Sequence, residues 1–156
     1  MEPEPRDKCL ILACGNPLRG DDGAAWHLAE LLSETTLSGQ IRVIVQQQWT
    51  PELAEDIVNA ASVLFVDCSL DAAPGSVSLS PVTPALTLPN FLTHHQEPAA
   101  LLALTLSLYL RIPADCDLLV IGAATVEHTE QLSPAVEAAL PKALKLLLGW
   151  VERHGA

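Results

Sequence analysis

Basic residues are scarce in this chain: eight Lys and Arg stand against 19 Asp and Glu, for a formal net charge of −11. Cations so few and so scattered leave no electrostatic footprint for nucleic acid or an anionic lipid surface, which excludes both as expected partners. The acidity favours solubility and is compatible with a cationic partner or a metal ion. Also missing is any C-x-x-C pair. The four cysteines are Cys9, Cys14, Cys68 and Cys116, and three lie in or beside apolar strand-like runs, where a free thiol behaves as a small hydrophobe. That argues against a zinc site built from them. The opening Met1-Glu2-Pro3-Glu4-Pro5-Arg6 is acidic and Pro-rich and lacks the positive region of a secretory signal. The expectation is four reduced thiols in a cytoplasmic protein. No apolar stretch is long enough to span a bilayer; the run from Leu101 to Leu110 is interrupted by Thr105 and Ser107. G-x-G-x-x-G and G-x-x-x-x-G-K-[ST] are both absent, which speaks against a nucleotide site. Repeats, low-complexity tracts and internal linkers are absent as well.

What is present suits one domain over residues 1–156, with 1–7 a frayed leader. The length is sufficient to bury a core, and hydrophobic residues make up 49% and charged ones 17%. Strand-like runs fall at 9–14, 41–46, 63–67, 76–80 and 117–122. Three are continuously apolar, as parallel strands buried on both faces are. The 76–80 run alternates Val77 and Leu79 with serines, the pattern of a half-exposed, antiparallel edge strand. Helical spacing fills the gaps: 24–32 with Trp26, Ala29 and Leu32; a start at Thr50-Pro51-Glu52 with Thr50 as N-cap; a very apolar helix between Glu97 and Leu110; and a last helix opened by Ser133-Pro134, striped by Val136, Leu140, Leu144 and Leu147. The order β-α-β-α-β-β-α-β-α predicts an α/β fold. It is a three-layer sandwich: a twisted, mostly parallel five-stranded sheet flanked by helices on both faces.

The first strand empties into Gly15-Asn16-Pro17-Leu18-Arg19-Gly20-Asp21-Asp22-Gly23. Ligands of open α/β sheets bind outside the carboxyl ends of the strands, so a site is expected at this loop. One Asp suffices to cap a helix, and the second needs another reason. Asp67 ends the third strand on the same rim. The long irregular stretch 81–95 brings His94 and His95 to the mouth of the next helix. Two carboxylates and one imidazole form an O,O,N metal site with open positions. Each element also has an ordinary reading. Asp67 can cap the turn toward Asp71, the histidines can be a solvated loop, and Arg19 can be an ion-pair partner or a substrate contact. Gln46-Gln47-Gln48 is polar where an apolar strand end is expected and suggests the rim again.

The ordered set of motifs resembles the hydrogenase maturation protease family, the endopeptidases that trim the C-terminal extension from the large subunit of nickel-iron hydrogenases. The markers are Gly15-Asn16 with Gly20-Asp21-Asp22-Gly23, Phe65-Val66-Asp67-Cys68-Ser69 with Pro74-Gly75, Thr93-His94-His95-Gln96, Val120-Ile121-Gly122 and Leu132-Ser133-Pro134-Ala135-Val136-Glu137. The resemblance spans nearly the whole chain, from Leu10 to about Arg153. The resemblance implies nickel ligation and catalysis by Asp22, Asp67 and His95, with His94 as the alternative one position away. It implies nickel delivered by the substrate, the hydrogenase large-subunit precursor, and a monomeric enzyme. Within the pair, Asp21 is expected to serve as the cap or structural contact. Two departures stand out: Ala25-Trp26 where many members carry a further glycine, and Gln47-Gln48-Trp49-Thr50 where others carry Gly-Gly-Thr. A non-catalytic metal-sensing chaperone that docks on the immature subunit is the competing reading.

Overall fold

Along the first strand, β1 (Asp7–Cys14), residues alternate between two dry environments. Cys9, Ile11 and Ala13 pack into one apolar cluster, and Leu10, Leu12 and Cys14 into another. The two-residue period of a strand forces this split, and a strand buried on both sides must lie in the middle of a sheet. The computed structural model of the chain describes residues 5–35, 40–86 and 97–155. After β1 come α1 (Ala24–Ser33), β2 (Ile41–Gln46), α2 (Leu53–Val58), β3 (Ala60–Ser69), β4 (Val77–Pro81), α3 (Pro98–Tyr109), β5 (Asp115–Gly122) and α4 (Pro134–Gly155). Five strands in the order β2-β1-β3-β5-β4 form one sheet. β4 runs antiparallel on its edge and the other pairings are parallel. Helices α1 and α4 cover one face, with Leu28, Leu32, Val136 and Trp150 in its core; α2 and α3 cover the other, with Leu53, Ile57, Leu101 and Leu102. The expected three-layer α/β sandwich is the observed one. Among the described residues no helix is long and apolar enough to cross a membrane.

Several local expectations shift. β1 starts at Asp7, paired with Ala60, so residue 7 belongs to the sheet rather than to a leader. Thr50 does not cap α2: its hydroxyl donates to Gln46 Oε1 at 3.4 Å, and backbone bonds from Leu53, Ala54 and Glu55 back to residues 50, 51 and 52 tighten the entry into the helix. In α1 the buried stripe is Ala24, Ala25, Leu28 and Leu32, while Trp26 and Ala29 are half-buried on its flank. In α4, Ala143 takes the deep position and Leu144 is half-buried. The second half of α3 leaves Leu106, Leu108, Tyr109 and Leu110 exposed, although its apolar sequence implies burial throughout. Helical period alone does not distinguish which of two adjacent apolar stripes meets the sheet.

The chain leaves β1 for β2 on one side and returns past β1 to β3 on the other. The carboxyl ends of β1 and β3 therefore flank the topological switch point, where a crevice opens in sheets of this kind.

Candidate functional site

At that switch point lies a cavity of about 370 Å³, and Asp22 and Asp67 both line it. The first loop supplies one wall. Gly15 is required there because a Cβ would collide with the Asp22 backbone carbonyl, and Gly20 holds a left-handed φ of 56°. The loop folds back so that the Asn16 amide donates to Asp22 Oδ2 at 2.9 Å, leaving the rest of that carboxylate to the cavity side.

Its neighbour Asp21 faces the opposite way and is fully buried. Its carboxylate accepts four hydrogen bonds: from the amides of Ala124 (2.8 Å), Thr125 (3.1 Å) and Ser133 (2.7 Å), and from the Ser133 hydroxyl (2.8 Å). Burial works to raise its pKa, but the Ser133, Ala124 and Thr125 donors win and hold the carboxyl below its ordinary value. Ser133 also accepts from the Val136 amide at the start of α4. One aspartate thus fastens the first loop to the segment after β5 and to the last helix. Gly20 and Asp21 add backbone bonds to Thr129 and Thr125.

Asp67 follows Val63 and Phe65 on the α2–α3 side of β3, at the strand's carboxyl edge. Its Oδ1 accepts from the Cys68 amide at 2.8 Å. It does not cap the following turn: the Asp71 amide is taken by the Ser69 hydroxyl at 3.1 Å. Burial, and then the charges of Asp22 and Glu97, push the Asp67 carboxyl up to about 6 against the opposing pull of Cys68 and Trp49. Trp49 is buried beside it, its ring edge-on to Phe65 at 5.5 Å between centroids. Cys14 and Cys68 line the same cavity, each thiol pushed up to about 12 first by burial and then by the aspartates. Thiolate nucleophiles are disfavoured in that field. All four cysteines are free.

His94 and His95 lie outside the described residues, and so does the third member of the expected O,O,N set. Among the described residues no cluster of three His, Cys, Asp or Glu side chains is placed to hold a metal ion. Asp22 and Asp67 are brought to one cavity; Asp21 is not. Gln47, Gln48 and Arg19 also line it. Among the described residues, Asp21 and Asp22 included, Arg19 makes no ion pair. The sequence reading passed over Glu97. It precedes Pro98, the first residue of α3, and stands two places after His95, so an acid at the mouth of that helix was the available signal.

No family model matches the chain, and no curated protein matches it by sequence. Solved structures do. A solution structure of an endopeptidase from Escherichia coli superposes with a TM-score of 0.77 at 24% identity, over 95% of this chain and 94% of that one. The hydrogenase maturating endopeptidase HybD from E. coli gives 0.74 at 24% identity, over 93% and 92%. The fold is that of the hydrogenase maturation endopeptidases. A third example, hydrogenase 2 maturation peptidase from a Thaumarchaeota archaeon, gives 0.68 at 26% identity and covers 92% of this chain and 97% of its own.

Proposed function

We propose that this protein is an endopeptidase of hydrogenase maturation. It removes the C-terminal extension of a nickel-iron large-subunit precursor in one cleavage, after nickel has been inserted. The observation that supports this most directly is the pairing of Asp22 and Asp67 across a cavity at the β1–β3 switch point, in a fold shared with such enzymes over more than nine-tenths of both chains.

In this reading the nickel arrives as part of the substrate. Asp22 and Asp67, with His95, offer oxygen and nitrogen donors that complete the ion's shell when the precursor docks. Two carboxylates alone are a weak cage, and burial, followed by the charges of Asp22 and Glu97, already works against an ionised Asp67. A site of this kind grips a loaded precursor and releases an empty one, which makes cleavage conditional on metal insertion. The ion supplies polarisation of the scissile carbonyl or of a bound water. The chain's own residues position: a carboxylate orients the water, while Gln47, Gln48 and Arg19 line the path of the peptide. The protein acts as a cytoplasmic monomer.

Mixing the purified protein with nickel-loaded precursor is expected to lower the precursor's mass by the length of its extension. Asp22→Ala, Asp67→Ala and His95→Ala are each expected to remain folded and to abolish that change. Normal processing by all three variants sinks the assignment of the site. Stable binding without any loss of mass by the intact protein favours the docking chaperone instead.

A further inference from the structure

Among the described residues a second cavity is larger than the acidic one. A groove of about 840 Å³ runs between α1 and β2, floored by Val43 and Val45 and walled by Trp26, Ala29 and Leu32. β2 is an end strand of the sheet, and no described strand pairs with its outer side. The pairing to β1 shows which of its backbone groups are spoken for. The Cys9 amide donates to the Gln40 carbonyl and the Gly15 amide to the Gln46 carbonyl. The even-numbered residues of β2 therefore turn their backbone groups inward, and Val43 and Val45 turn theirs outward. The side chains of these same two residues line the groove. An extended segment added to this edge would satisfy amides and carbonyls that no described residue takes, and alternate side chains of that segment would drop into the groove.

The groove adjoins the acidic pocket, with the first loop between them. Pro17 and Leu18 line the groove, while Gly15, Arg19 and Asp22 line the pocket. The Trp26 indole donates to the Gly15 carbonyl across the shared wall. Leu18, 55% exposed, sits on the ridge between them. Glu30 and Glu130 supply negative charge along the groove, in a chain with a net charge of −11.

Resting on the endopeptidase reading above, we infer that the groove and the outer edge of β2 form a docking site for the substrate polypeptide. It accepts an extended, apolar segment of the precursor flanked by basic residues, paired with β2 while the scissile region reaches over the first loop into the pocket. Edge pairing supplies affinity that the small metal pocket cannot, and groove spacing supplies selectivity. Trp26 forms the groove wall, and Gln47-Gln48, which line the pocket, follow directly on β2.

The test uses the full-length Asp67→Ala variant, so that the complex is not consumed, and the unprocessed hydrogenase large subunit from the same organism as probe. Adding Val43→Lys, or the gentler Ala29→Gln on the half-buried flank of α1, is expected to weaken binding at least tenfold. Both are checked for an unchanged thermal midpoint; Lys142→Glu on the exposed side of α4 serves as control. Hydrogen exchange is expected to slow at the Val43 and Val45 amides in the complex. Unchanged affinity in both groove variants, no protection at those amides, or no binding of the precursor at all overturns the inference. So does concentration-dependent dimerisation lost in Val43→Lys, which would make the groove a contact between copies of this chain. If the groove variants weaken binding but the intact protein leaves the precursor full-length, the docking site stands and the endopeptidase reading fails.

Discussion

Two adjacent carboxylates in one turn serve opposite ends. Beneath the first loop, Asp21 is fully buried, and four donors surround its charge. Above it, Asp22 faces a cavity shared with Asp67, where carboxylates confront one another and few donors compensate. The lower region makes a negative charge stabilising. The upper one makes the charge of Asp67 costly, first by burial and then through its neighbours Asp22 and Glu97. One residue and a reversal of direction thus separate a buried tether from a carboxylate that lines a cavity.

The largest expected effect breaks the lower region. Asp21→Ala strands three amides and a hydroxyl in the interior and is expected to cost about 3 kcal/mol or more, measured by equilibrium denaturation. A loss under about 1 kcal/mol would show that Asp21 is no tether.

Next comes Asp67→Asn, which removes the unfavourable charge from the pocket. It is expected to raise stability by about 1–2 kcal/mol near neutral pH while abolishing processing. Because the Asp67 carboxyl is pushed up to about 6, folding favours its protonated form. The cost grows as pH rises from the ordinary carboxylate value to about 6, is full above that and vanishes below the ordinary value. Wild type and Asp67→Asn should therefore part in thermal midpoint as pH rises toward about 6, keep a constant gap above it, and converge at acid pH. The Asp21 carboxyl is held low, and its sign is opposite: the stability it contributes is complete above its ordinary value and lost as pH falls through the folded one. A stability gap between wild type and Asp67→Asn that is flat with pH would remove the contrast.

The smallest effect is expected at Asp22→Asn. With one amide donated to its Oδ2 and a half-buried setting, the change in stability should stay within about 0.5–1 kcal/mol, again with processing abolished. A loss as large as that of Asp21→Ala would mean that the two aspartates share one structural task.

Much of this was legible in the residues. Unbroken apolar runs marked the central strands, and the Val77–Leu79 alternation marked the antiparallel edge, because strand burial writes itself directly into sequence period. Ser133-Pro134 announced α4 correctly, since the capping requirement is local. Thr50 misled because a hydroxyl near a helix start has more than one acceptor within reach, and Gln46 took it. Trp26 and Ala29 had helical spacing but line a groove, and Leu106, Leu108 and Leu110 are apolar yet exposed. Glu97 carried no motif.

The order of strands and helices, the burial of β1 and β3 on both faces, and the presence of an acidic loop at a strand end were thus determined by the sequence alone. All of these follow from local periodicity and chemistry. Only tertiary structure decided which aspartate is a strut and which faces a cavity. Asp21 finds its donors at residues 124, 125 and 133, more than a hundred positions away. Asp67 acquires its charge conflict from Asp22 and Glu97 on other elements. A carboxylate's role is set by the donors and charges that folding brings to it, and these are non-local.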